Sequence, residues 1–169
     1  MILPGHVAAA YLATRLLHTD RLGTFAACMF PDLVDKPVRW LLRRTPNDRI
    51  PAHTALAWAL TTAAVWRWRG TDCARGWLAG YGVHLACDEV NAHRNPGRLY
   101  LWWPLKRYEM HVGPTGLQSS LADFRPASLA VEGALTLLAA AIWLASDDDA
   151  ATIRTRASSD MRGARHASS

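Results

Sequence analysis

Tyr81-Gly82-Val83-His84-Leu85-Ala86-Cys87-Asp88 is the stretch on which the reading turns. It is apolar apart from the histidine and the aspartate, which stand four residues apart. In a helix that spacing puts both side chains on one face, within reach of one ion. A neutral imidazole nitrogen and a carboxylate oxygen suit Zn²⁺ or a similar divalent metal. With 7 His and 11 Asp in 169 residues, chance alone supplies about half of one such pair. The apolar setting adds weight, because burying a His and an Asp without partners is costly. A shared cation satisfies both groups. A plain His–Asp hydrogen bond satisfies them too, and both readings stand at this point.

Working outward, the helix that carries the pair runs from about Ala74 to Val90, with Asp72 placed to cap it. Before it, Thr54 to Trp68 is rich in alanine, leucine and tryptophan and reads as a long helix ended by Gly70-Thr71-Asp72. Val7 to Leu17 reads as a first helix, with Pro4-Gly5-His6 just ahead of it. Gly23 to Met29 reads as a second, short one stopped at Phe30-Pro31-Asp32. Val38 to Arg44 is a basic helical turn, and Thr45 to Asp48 a loop. After the central pair, Asn95-Pro96-Gly97 is a turn signal, and Pro104 limits any helix in Leu99 to Leu105. Residues 106–126 are mixed and loop-rich.

Pro126 to Ala145 is the last long helix. Its part from Ala127 is the best candidate for a membrane span. Glu132 leaves only Gly133 to Ala145 uncharged, 13 residues against the roughly 20 that a bilayer needs. The expectation is therefore a buried core helix, with surface association through aromatics and arginines as the alternative. Asp147-Asp148-Asp149 and the Ser/Arg/Ala-rich remainder predict a disordered tail. The division is thus a helical metal-binding domain over 1–145 and a polar tail over 146–169.

Composition agrees. Half of the residues are hydrophobic and a fifth charged, which excludes a disordered chain. Alanine and leucine dominate and β-branched residues are sparse, which favours helix. The fold class is all-α, a compact multi-helix bundle. A net charge of +5, mostly arginine, suits an anionic surface or a phosphate-bearing substrate. Cys28, Cys73 and Cys87 form no CxxC pair and point to a reducing compartment. The N-terminus shows no secretory signal, so a cytoplasmic or cytoplasmic-membrane location is expected. No phosphate loop, nucleophile elbow, HExxH or zinc-finger spacing occurs. Arginine with tryptophan can also bind single-stranded nucleic acid, but no module pattern supports that.

Other residues join the central pair. Asp32 and Asp35, three apart, suit a hard or borderline cation or serve as helix caps. His53 opens the long apolar helix, and His6 precedes the first one. His18, His93 and His111 lack comparable context. Glu89, Glu109 and Asp35 are the general-base candidates, and Trp102-Trp103 with Tyr100 read as core or interface aromatics.

The order Gly5-His6, Pro31-Asp32-x-x-Asp35, His53-Thr54, Gly80-Tyr81-x-x-His84-x-x-x-Asp88, Leu101-Trp102-Trp103-Pro104-Leu105 resembles a known family. It is similar to the bacterial membrane-bound metal-dependent hydrolases, distant relatives of zinc-dependent phospholipase C and of single-strand-specific nucleases. The resemblance implies a bundle like the phospholipase C fold and hydrolysis of a phosphoester, of phospholipid or nucleotide class, by a metal-activated water. It implies ligands from Asp32 or Asp35, His53, His84 and Asp88, with His6 as a second-metal ligand. Asp35 and Asp88 are the catalytic candidates, and the cofactor is one or two divalent ions, most simply Zn²⁺. The partners implied are a small-molecule or lipid phosphoester and a membrane surface. The family's Asp-x-Asp is stretched here to Asp-x-x-Asp, which leaves the ligating carboxylate open, and Asp48 stands where a further histidine is common. The alternative is a non-catalytic membrane-associated helical protein with a structural or vestigial metal site.

Overall fold

The computed structural model describes residues 3–42, 44–45, 49–92, 100–109 and 129–146. Among the described residues there are five helices and no strand: α1 (Leu3–Leu17), α2 (Arg21–Trp40), α3 (Ala55–Arg69), α4 (Thr71–Ala92) and α5 (Leu129–Ser146). The all-α bundle expected from the sequence is present. The expected turn at Asn95–Gly97, His93, His111, Asp48 and the tail beyond Ser146 lie outside the described residues.

Local chemistry sets the helix ends. The Asp20 carboxylate accepts from Gly23 N at 2.6 Å and opens α2. Thr54 Oγ1 accepts from Ala57 N at 3.2 Å and opens α3. Each satisfies an N–H that the first turn leaves without a helical partner. Gly70 closes α3 at φ 83°, the left-handed region where a side chain is disfavoured. The links between α1 and α2 and between α3 and α4 are short, so each pair packs as neighbours. α4 packs against α2 most extensively and also against α3 and α1. Tyr81 and Leu85 of α4 meet Ala27 of α2 in the core, flanked by Phe30, Trp58, Trp77 and Leu101.

Three readings need correction. Pro31 does not stop α2, which runs through it and through Pro37 as well. Each costs the helix one N–H and its bond four residues back, but packing on α4 outweighs that local cost. Asp32 and Asp35 therefore lie inside a helix rather than at its end. His6 lies within the first turns of α1, since Pro4 is tolerated where an N–H has no helical partner anyway.

The third correction concerns α5. It is not a core helix: only 11 % of the Leu129–Ser146 window is buried. It is also the one described helix long and apolar enough to cross a membrane. Its single charged residue, Glu132, is buried, so the outward face carries no charge. Arg15 of α1 donates to Ser146 Oγ at 3.0 Å and ties the end of α5 to the end of α1.

Candidate metal centre

The centre is built from Asp35 outward. This α2 side chain is fully buried, and its carboxylate accepts three N–H groups. Ala52 N lies 2.8 Å from Oδ1, His53 N lies 3.0 Å from Oδ2, and His53 Nδ1 lies 2.7 Å from Oδ2. An ionised carboxylate only accepts, so Nδ1 carries the proton and Nε2 presents its lone pair on the other side of the ring. Tyr81 of α4 donates its hydroxyl to Ala52 O and holds the same segment from the other side. Burial, with the nearby Asp35 charge, pushes the Tyr81 phenol above its ordinary range and keeps it a donor.

His53 Nε2 points into a cluster drawn from four elements. It lies 3.4 Å from Asp32 Oδ1 and 3.4 Å from Asp88 Oδ2. His84 Nε2 is 3.5 Å from Asp88 Oδ2 and 3.0 Å from His53 Nε2. His6 Nε2 stands 3.6 Å from Asp88 Oδ1. Two ligand triads result, His6–His84–Asp88 and Asp32–His53–His84, with His84 common to both. Ligand atoms 2.0–2.2 Å from a tetrahedral ion stand about 3.3–3.6 Å from one another. Four of these five separations fall in that range, and they are long for hydrogen bonds. A plain His84–Asp88 hydrogen bond is thus a poorer description of the pair than two ligands aimed at one point.

The electrostatics favour the deprotonated forms that a metal requires. Burial, and then the neighbouring His53 and His6, hold the His84 imidazole far below its ordinary value, so it is neutral. Burial alone would raise Asp32. Lys36 Nζ at 2.6 Å acts against it and favours the carboxylate. His84 Nδ1 is buried and has no hydrogen-bond partner among the described residues. The imidazole is therefore held by packing, its ring centroid 4.2 Å from that of His6.

A small pocket opens beside the cluster. Arg49, His53, Leu85, Asp88, Glu89, Tyr100 and Leu101 line it. Leu101 O accepts from Ala55 N at 2.7 Å, which fastens the Leu-Trp-Trp-Pro segment to the start of α3. Arg49 Nη1 donates to Asp88 Oδ2. Arg49 is a site residue that the sequence reading left among the bulk basic charge. Its only signal is that it stands four residues before His53.

Of the residues singled out from the sequence, His6, Asp32, His53, His84 and Asp88 come together, and Asp35 lies behind His53. Glu89 reaches the pocket. Glu109 and His18 are exposed and belong to no ligand cluster among the described residues. Cys28 is buried and donates to His6 O at 3.5 Å. Burial, with Cys87 and Asp32 nearby, pushes its thiol up to about 12, so it remains protonated beside the cluster.

A family model described as YdjM inner membrane protein matches residues 2–149. The chain belongs to that family, a membrane-protein family. No curated protein matches, and no solved structure matches.

Proposed function

We propose that this member of the YdjM inner membrane protein family is a metal-dependent hydrolase of phosphoester bonds, working at the membrane. The observation that carries the reading is the convergence of His53, His84, Asp88 and Asp32, whose ligand atoms approach one another at 3.0–3.5 Å in the pairs His53–Asp32, His53–Asp88, His84–Asp88 and His53–His84. The Asp35-fixed ring of His53 faces that cluster with its lone pair. Three imidazoles and two carboxylates are a donor set suited to Zn²⁺ or Mn²⁺. A divalent ion held there polarises a phosphoryl oxygen and lowers the pKa of a bound water.

The chain's own residues do the rest. Asp32, His53, His84 and Asp88 hold the ion. Asp35 positions His53 and does not reach the ion. The Tyr100–Leu101 wall limits water on one flank, and Glu89 is the group in the pocket able to accept a proton. A lipid phosphoester is the substrate that matches a site on a membrane protein.

The test is metal analysis of the full chain purified in detergent without chelators, followed by a metal-supplemented phosphodiesterase and phospholipase screen. Stoichiometric Zn²⁺ or Mn²⁺, with turnover abolished in Asp88→Ala, is the expected result. Metal without turnover assigns the site a structural role. No metal in the wild type, with stability indifferent to His84→Ala, overturns the metal reading itself.

A further inference from the structure

We propose that Arg49 is the specificity-determining residue of this centre: it recognises a phosphoryl group beside the metal and sets how tightly the metal is held. The proposal rests on the metal reading above and deepens it. Arg49 Nη1 donates to Asp88 Oδ2, the same oxygen that faces His53 Nε2 at 3.4 Å and His84 Nε2 at 3.5 Å. The guanidinium therefore sits against the ligand cluster, and its side chain is only 16 % exposed. It also lines the pocket that opens there, together with His53, Leu85, Asp88, Glu89, Tyr100 and Leu101.

The guanidinium is largely shielded from solvent, so its charge interactions are stronger than in water. A guanidinium stays protonated at any working pH, and its planar fork matches two oxygens of a phosphoryl group. Arg49 and a divalent cation both draw on Asp88 Oδ2, and both are positive. Each weakens the other's hold. A phosphoryl dianion placed between them relieves the repulsion and pairs with both. Metal and phosphate then bind cooperatively, each raising the affinity of the other by the same factor. Removing the guanidinium must move the two affinities in opposite directions.

The experiment titrates the full chain in detergent with Zn²⁺ alone, by chelator competition, and then titrates the Zn²⁺-loaded chain with inorganic phosphate by calorimetry. Arg49→Gln is expected to bind Zn²⁺ about tenfold more tightly, because a like charge is gone. It is expected to bind phosphate about 10- to 100-fold more weakly, the usual cost of a lost charged hydrogen bond. Arg49→Lys keeps the charge but not the fork, so its Zn²⁺ affinity stays near the wild type and its phosphate affinity falls between the two. A purely structural Arg49 would lower both affinities in Arg49→Gln, and that result overturns the proposal. Zn²⁺ uptake with both affinities unchanged overturns it as well, while leaving the metal reading intact. A wild-type chain that takes up no Zn²⁺ overturns both.

Discussion

Asp35 shows how much one carboxylate decides here. It accepts from Ala52 N, His53 N and His53 Nδ1, and so fixes both the path of the segment and the tautomer of the ring. Asp35→Asn keeps an acceptor for the backbone but loses the charge that draws the Nδ1 proton. Its Zn²⁺ affinity should fall about 10- to 100-fold, as for other partners of metal-bound histidines, and its stability by about 1–3 kcal/mol. Chelator competition and thermal melting measure the two; unchanged affinity would remove Asp35 from the positioning role. His84 gives a pH prediction. Its ordinary value is 6.5, and burial with the neighbouring histidines lowers it in the folded chain. Below 6.5 the unfolded chain binds a proton that the folded chain refuses, so stability is complete above that pH and is lost on acidification. Asp32, also lowered, adds loss of the same sign below its ordinary 3.8. The melting midpoint of chelator-stripped protein should fall between pH 7 and 5, and His84→Gln should flatten that fall; an equally steep fall in the variant would show that another group is responsible. At this scale the identities His53, His84 and Asp88 were legible because apolar surroundings make polar residues conspicuous. The choice between Asp32 and Asp35 was not. They stand three apart on one helix, and what separates them is the position of a segment 17 residues further along the chain.

Helix packing brings these residues to one place, and Gly80 is where the packing is tightest. A Cβ at Gly80 would lie 2.0 Å from the carbonyl oxygen and 2.8 Å from the carbonyl carbon of Thr24. Both are backbone atoms of α2, which cannot turn aside as a side chain can. Gly80→Ala must therefore push α4 away from α2, and overpacking of this kind costs about 1–3 kcal/mol or more. Because α2 carries Asp32 and Asp35 while α4 carries His84 and Asp88, the same displacement should weaken Zn²⁺ binding. Gly82→Ala is the control. Its added Cβ meets only the Trp58 side chain, at 3.0 Å, so melting and metal affinity should change less. If the two variants melt alike, the α2–α4 contact does not hold the site. The helical content was legible from spacing, and Thr54 and Gly70 stand at the ends where their chemistry puts them. The single span of α2 was not legible, because a proline reports only its local cost. The compensating contact comes from α4, more than 40 positions later in the chain.

Among the described residues, polar groups occupy much of the interior while large apolar side chains lie outside. The largest fully buried side chains include His6, His84, Thr24, Thr54 and Asp35, while Leu22, Leu33, Leu60, Leu137 and Trp68 are exposed. An apolar surface on this scale marks an interaction surface, and in a chain of an inner membrane protein family lipid is the partner to test first. The sequence reading stopped the last span at Glu132 because a charge there was counted as lying within the span. Its carboxylate is buried against the bundle instead, so the apolar face runs the full length of α5. Leu138 tests this. It stands at the middle of Leu129–Ser146 and is 51 % exposed. On a water-facing helix Leu138→Arg would change stability by no more than about 0.5 kcal/mol. In the middle of a bilayer it costs about 3–4 kcal/mol more than the leucine it replaces. Wild type should stay in the membrane pellet through a carbonate wash. Leu138→Arg should be extracted in part, while Glu132→Gln, which changes a residue turned inward, should be retained. Leu138→Arg retained as fully as wild type would place this face of α5 away from lipid. A wild-type chain that washes off would show that α5 does not insert at all.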